Sequence, residues 1–202
     1  MNSNTDCLSM KKILRKEIKQ RVSQISAFIP EYSSKICDLI IQSEVYKACR
    51  NLLVYMALPD EADLSKLISQ AICDKKNIYV PKVNIETRNM DFFQYTVYET
   101  ICTGAFGIIE PSVENLKYDS GNSSIKTLII VPGRAFASDG SRLGRGKGFY
   151  DSFLLKERQL LEDNVVFCGA GFSVQFLEAL PLEAHDIKMD ILVNENELFA
   201  IK

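Results

Sequence analysis

The stretch that most constrains how this chain folds runs from residue 128 to residue 155. Leu128-Ile129-Ile130-Val131 is an apolar run of the kind that forms a strand buried on both faces. Phe149-Tyr150-Asp151-Ser152-Phe153-Leu154-Leu155 reads as a helix. Between them lie Arg134, Arg142, Arg145 and Lys147, with Asp139 the only carboxylate. Gly144, Gly146 and Gly148 alternate with the last two cations. Glycine lets a backbone turn sharply and approach a ligand closely. Cations and free N–H groups at a helix start attract phosphate. The stretch therefore reads as a polyphosphate cradle at the carboxyl end of a strand. A structural loop with solvated cations is the alternative that these residues alone leave open.

The familiar phosphate loops do not fit. A Walker A loop is GxxxxGK[ST]; here five residues separate Gly140 from Gly146-Lys147, and Gly148 follows where a hydroxyl is needed. The dinucleotide fingerprint GxGxxG fails on spacing, and no acidic ribose partner stands about 20 residues on. Asp151, at the helix start, is placed to hold a metal that bridges phosphates.

The rest of the chain alternates strands and helices. Residues 1–9 read as a disordered extension to a single domain over 10–202. Ile13, Leu14, Ile18, Val22 and Ile25 have helical spacing. The intervening run Lys11, Lys12, Arg15, Lys16, Lys19, Arg21 is either a solvated face or a source of phosphate contacts. Pro30-Glu31 opens a second helix through Val45. Leu52–Met56 is a strand, followed by a turn carrying Asp60 and Glu61. A helix over Asp63–Ile72, with Asp63 as N-cap, leads to a strand at Asn77–Pro81, which Pro81 is expected to stop. This β-α-β order predicts parallel strands, with ligands beyond their carboxyl ends. Glu61 lies at one such end, as a turn carboxylate or as a ligand group. Met90–Tyr95 reads as an antiparallel or edge strand, and residues 103–111 as a glycine-punctuated loop. Residues 112–124 read as a surface connection, Val165–Ala170 as a buried strand, Phe172–Leu180 as a short helix and Ile191–Val193 as the last strand.

Composition excludes several classes. A net charge of −2 argues against a dedicated nucleic-acid binder. No window reaches the ~18 apolar residues of a membrane span. The first six residues lack the charged-then-apolar order of a secretory signal, so the expected location is cytoplasmic. Six scattered cysteines without a CxxC read as reduced thiols, and with one histidine they make a zinc site a poor fit.

Arg142-Leu143-Gly144-Arg145-Gly146-Lys147-Gly148-Phe149-Tyr150-Asp151 closely resembles the R-L-G-x-G-x-G-[YF]-Y-D motif of 5-formyltetrahydrofolate cyclo-ligases, also called 5,10-methenyltetrahydrofolate synthetases. Pro132-Gly133 with Phe136 resembles that family's P-G-x-x-F. Lys11-Lys12-Ile13-Leu14-Arg15 resembles its K-x-x-[LI]-R. Met56-x-x-x-Asp60-Glu61, Gly107-Ile108-x-Glu110-Pro111 and His185-Asp186-x-Lys188-x-Asp190 also match, in the right order from about residue 10 to residue 195. Two residues depart from the pattern: Arg134, where the family usually has an apolar residue, and Phe149, where a tyrosine is commoner.

The resemblance implies a Rossmann-like three-layer α/β/α sandwich with a mostly parallel sheet. It implies ATP-dependent conversion of 5-formyltetrahydrofolate to 5,10-methenyltetrahydrofolate, with release of ADP and phosphate, in a monomer that uses Mg2+. Arg145 and Lys147 are the expected catalytic cations. ATP is expected to meet Lys11, Lys12, Ile13, Leu14, Arg15, Arg142, Leu143, Gly144, Arg145, Gly146, Lys147, Gly148, Phe149 and Tyr150. The folate is expected to meet Met56, Glu61, Arg145, Gly146, Lys147, Gly148 and Phe149. Asp151 and Asp186 are the expected magnesium ligands, with His185 ordering the Asp186 loop. A non-catalytic folate- or nucleotide-binding module on the same scaffold is the alternative, and a different ATP-dependent enzyme a third reading.

Overall fold

A computed structural model describes residues 3–84, 86–87, 89–95, 102–103, 109–110, 116–120, 125–181, 183 and 186–201. The expected features at Gly107, Ile108, Pro111 and His185, and most of the 112–124 connection, lie outside the described residues.

The centre is a seven-stranded sheet. Its strands are β1 (Asn51–Leu53), β2 (Asn77–Asn84), β3 (Asn89–Gln94), β6 (Thr127–Pro132), β9 (Val165–Ala170), β11 (Ile191–Val193) and β12 (Leu198–Ala200), in the order β12-β11-β9-β6-β1-β2-β3. The five inner strands are parallel, and the two edge strands, β3 and β12, run antiparallel. Short pairs lie outside this sheet. β4 (Cys102–Thr103) pairs with β5 (Ile109–Glu110), and β7 (Ala135–Ala137) is flanked by β8 (Arg142–Leu143) and β10 (Phe176–Leu177).

Alternation along the inner strands builds two cores. Leu52, Ile78, Leu128, Ile130 and Cys168 face one side, against α1 (Ser3–Gln24), α2 (Ile29–Gln42), α3 (Glu44–Ala48) and α4 (Ser65–Cys73). Leu53, Tyr79, Ile129, Val131 and Phe167 face the other, against α5 (Phe149–Leu161) and the ring of Phe136. The expected three-layer α/β/α sandwich is what forms. Phe136, fully buried, explains the P-G-x-x-F spacing: a Cβ on Gly133 would lie 2.5 Å from its ring. The corner after β6 can close only if that Cβ is missing.

Several boundaries differ from the sequence reading. α1 begins at Ser3, so its first turns take up most of the residues set apart as an extension. The second helix is two helices, because Ser43 ends α2 and caps α3 by accepting from the Tyr46 N–H. Asp63 lies one residue outside the cap of α4, where its carboxylate accepts from the Ser65 N–H. Pro81 does not stop β2. Tyr95 N–H donates to the Ile78 carbonyl, so Ile78, Val80 and Lys82 turn their backbone groups toward β3. The Pro81 nitrogen faces β1, where Val54 N–H donates to the Tyr79 carbonyl and the next parallel bond would need a Pro81 N–H; the β1–β2 pairing ends there, while β2 continues against β3. The helix expected over Phe172–Leu180 is a 3-10 turn (Ser173–Gln175) followed by β10, and β12 follows the strand expected to be last.

The chain runs from β1 to β2 and β3 on one side, and from β6 to β9 and β11 on the other. The order therefore reverses between β1 and β6. A crevice opens at the carboxyl ends of strands where the order reverses in this way.

Candidate active site

A cavity of about 420 Å3 occupies that crevice. Tyr55, Met56, Leu58 and Glu61 enter it from the segment after β1, and Pro132 and Gly133 from the end of β6. Pro81, Val83 and Met90 form its far wall, and residues 144–151 with Arg142 its rim. Apolar side chains and a few convergent polar groups in a cavity of this size suit a small organic ligand.

The glycine loop is shaped by its own backbone. Gly146 and Gly148 have φ of +93° and +74°, a region that L side chains rarely adopt. A Cβ on Gly146 would also come within 3.2 Å of the Arg15 guanidinium. Arg15 Nε donates to the Gly144 carbonyl at 2.9 Å, so α1 holds the loop from outside.

Three charged groups surround the loop. Arg142 is buried. Its Nη1 donates to the Pro132 carbonyl at 3.1 Å, and its Nη2 meets Asp151 Oδ1. Arg145 reaches across the mouth, with Nε on Glu61 Oε1 at 2.8 Å and Nη2 on Asp60 Oδ1 at 2.6 Å. Arg134 pairs with the second oxygen of Asp60. Lys11 is buried between Glu183 and Asp186, 2.8 Å from each.

These arrangements move proton affinities. Burial alone would raise the Asp60 carboxyl, but Arg134 and Arg145 outweigh it and hold it below its ordinary value. Burial would lower Lys11, but Asp186 and Glu183 outweigh that and raise it. Tyr150 is raised far above an ordinary phenol by burial first and by Glu61 second. Its hydroxyl has no hydrogen-bond partner among the described residues, and Tyr150 lines the cavity. A protonated phenol lodged there is a donor awaiting an acceptor.

The residues expected from sequence fall into three groups. Met56, Glu61, Arg142, Gly144, Arg145, Gly146, Lys147, Gly148, Phe149, Tyr150 and Asp151 line the cavity together. Lys11, Arg15 and Asp186 do not line it, although Arg15 holds the glycine loop and Lys11 holds Asp186. Lys12 and Ile13 are exposed on α1, while Leu14 packs against the first core and Leu143 is buried in it. Lys147 is exposed on the rim. Sequence reasoning missed Tyr55, Pro81, Val83 and Met90 on the wall. It also missed Gln175, whose buried amide donates to the carbonyls of Gly133 and Arg134 at 2.9 and 3.1 Å. The expectation that Asn77–Pro81 is a strand beside β1, with ligands beyond the carboxyl ends, was the available signal for the wall; Gln175 had none.

Comparison with known proteins shows the family. The model of the 5-formyltetrahydrofolate cyclo-ligase family matches residues 8–195. The chain belongs to that family. It is 27% identical over 192 residues to the mouse 5-formyltetrahydrofolate cyclo-ligase, covering 93% of this chain and 95% of the relative. It is 31% identical to a probable cyclo-ligase of Schizosaccharomyces pombe, covering 84% and 87%. The solved 5,10-methenyltetrahydrofolate synthetase of Aquifex aeolicus superposes with a TM-score of 0.79 at 28% identity, covering 96% of this chain and 93% of that one. Within a cyclo-ligase, the cavity at the β1/β6 reversal, with its glycine rim, is the candidate site of reaction.

Proposed function

We propose that this chain converts 5-formyltetrahydrofolate and ATP to 5,10-methenyltetrahydrofolate, ADP and phosphate in the cavity between β1 and β6. The observation that supports this most directly is the joining, in one cavity, of an apolar wall to a glycine rim that carries Arg145 and Lys147. A pterin has ring faces that pack on apolar side chains and a polar edge that carries N–H donors. Met56, Leu58, Pro81, Val83, Met90 and Phe149 offer it a slot, and Glu61 offers an acceptor for that edge.

The chemistry needs activation because a formamide oxygen is a poor leaving group. Its attack on the γ-phosphate releases ADP and leaves a phosphate ester. N10 then attacks the formyl carbon and gives up its proton, and the C–O bond breaks so that phosphate departs with the former formyl oxygen and that proton. The protein's task is to align the two substrates and to stabilise charge on the transferring group. Arg145, Lys147 and the rim's N–H groups supply positive potential there. The Tyr150 hydroxyl, protonated and unpartnered among the described residues, donates to a ligand oxygen.

Asp151 and Asp186 are the carboxylates for a magnesium ion, which when bound neutralises phosphate charge. The donor set fits. No group of three or more metal-binding side chains occurs among the described residues. Magnesium is commonly held by one or two carboxylates, with water and substrate phosphates completing its shell. Asp151 and Asp186 are paired here with Arg142 and Lys11, cations that orient them. No helix among the described residues is long and apolar enough to cross a membrane. We place the chain in the cytoplasm as a monomer, and residues 10–202 as its single catalytic domain.

The test is to mix folded protein, 5-formyltetrahydrofolate and Mg-ATP and to follow methenyl absorbance in the near ultraviolet. An ATP-dependent rise is expected. Folded protein that gives none, even while binding the folate calorimetrically, would make this a binding module.

A further inference from the structure

Arg134, Asp60, Arg145 and Glu61 form an unbroken run of alternating charge across the cavity mouth. Asp60 is shared by two arginines, and Arg145 is shared by two carboxylates, with Nη2 at 2.6 Å from Asp60 and 2.7 Å from Glu61. Glu61 also accepts from the Leu58 N–H at 3.0 Å, which fixes its own position. Arg134 is fixed too. Its N–H donates to the Leu143 carbonyl at 2.7 Å, and its own carbonyl accepts from Gln175. The Arg134 side chain is 13% exposed and that of Arg145 is 34% exposed, so Arg145 has the greater freedom to leave. Neither Arg134 nor Asp60 lines the cavity, whereas Arg145 and Glu61 do.

The reaction proposed above, on which this inference rests, needs Arg145 at the phosphates and Glu61 at the pterin. In the structure the two hold each other. We propose that Asp60 and Arg134 are positioning residues for Arg145. Asp60 parks Arg145 at the mouth, and Arg134 weakens that hold by sharing Asp60, so that Arg145 passes to the nucleotide when the pterin takes Glu61. Two arginines on one carboxylate repel each other, and removing one strengthens the grip on the other. Without Arg134, Asp60 would retain Arg145, and the fraction of molecules ready for ATP would fall. Apparent affinity falls by that same fraction.

The experiment compares Arg134→Met, Arg134→Lys, Asp60→Asn and the double variant Arg134→Met/Asp60→Asn. Turnover is read by methenyl absorbance, and nucleotide binding by calorimetry of a non-hydrolysable ATP analogue at saturating 5-formyltetrahydrofolate. Arg134→Met is expected to raise KM and Kd for ATP roughly fivefold, with kcat within about twofold, because ATP at saturation still recruits Arg145. Arg134→Lys keeps the charge and stays near wild type. Asp60→Asn binds ATP as well as wild type or better, and adding it to Arg134→Met restores the ATP constants. An unchanged ATP constant in Arg134→Met overturns the proposal. So does a fall in kcat that the second substitution does not repair, which would mark Arg134 as a packing residue. If Arg134→Met does not fold, a weaker ATP affinity in Asp60→Asn overturns it instead. Wild-type turnover reports on the cyclo-ligase reading, whereas the ratio of each variant to wild type in ATP binding reports on Arg134 and Asp60.

Discussion

Arg142 and Arg145 stand three residues apart on one loop and line one cavity, yet they are built differently. Arg142 is sunk beneath the rim; its Nη1 and Nη2 donate to the Pro132 carbonyl and to Asp151, while its buried Nε has no hydrogen-bond partner among the described residues. Those bonds join the end of β6 to β8 and to the start of α5. Arg145 is about one-third exposed, and its hydrogen bonds among the described residues go to carboxylates of the turn after β1. The first arginine is scaffold and the second is a moving part, although a motif string writes them with the same letter. Burial and anchoring separate them: Arg142 is sunk and keeps a backbone carbonyl whatever becomes of Asp151, whereas among the described residues Arg145 is held by carboxylates alone, and a carboxylate can be claimed by a ligand.

That contrast can be broken experimentally. The largest effect is expected from Arg142→Ala, which strands Asp151 and the Pro132 carbonyl in a mostly buried setting. Breaking such a pair costs about 3–5 kcal/mol. At ~2–4 °C per kcal/mol for a domain of this size, melting should fall by at least about 6 °C, with turnover falling too. A melting temperature within about 2 °C of wild type would remove Arg142 from the scaffold. Next comes Lys147→Ala, which should leave melting unchanged while lowering kcat about 100-fold, the scale of losing one charge-stabilising donor. Near-wild-type turnover would take Lys147 out of the catalytic set. Glu61→Gln should raise KM for the folate roughly tenfold, as for loss of a charge-assisted hydrogen bond, with less effect on KM for ATP.

Acid sharpens the comparison further. The Asp60 carboxyl lies below its ordinary value in the folded chain. Its contribution to stability is therefore complete above about pH 4 and is lost as pH falls through the folded value. Urea midpoints for wild type and Asp60→Asn should differ at pH 6 and converge below pH 4; a constant gap would argue against the pairing. The smallest effect concerns thiols. Burial raises Cys37 to about 11 and Cys168 to about 12, while Cys73 is exposed. Iodoacetamide should label Cys73 in the native protein and leave the other two until unfolding.

Much of this organisation was legible before any coordinates. β6 and β9 show as β-branched runs because both faces of a central parallel strand are buried. The glycine rim shows because alternating glycines and cations at a helix start have few structural uses. What stayed hidden depends on distant partners. Pro81 can stay within β2 because its nitrogen points away from β3, the partner that β2 keeps to Asn84. Val83 and Met90 reach the cavity only because β3 folds back on β2. The helical spacing around Lys12 and Ile13 was correct, but it could not say which side of α1 would meet the loop. Arg15 meets it, whereas Lys12 and Ile13 face solvent. Arg134 showed only as a departure from a pattern, since nothing in the sequence paired it with Asp60, 74 positions away.

The bonds made by α1 bear on how the chain becomes active during synthesis. Arg15 meets a carbonyl 129 positions later, and Lys11 meets Asp186 175 positions later. A ribosome making this protein would have released most of its strands into solution before the first helix could find its last partners. Domains generally fold as units as the chain emerges. Here nucleotide capture would be among the final properties to appear, so an unfinished chain would neither sequester ATP nor hydrolyse it unproductively.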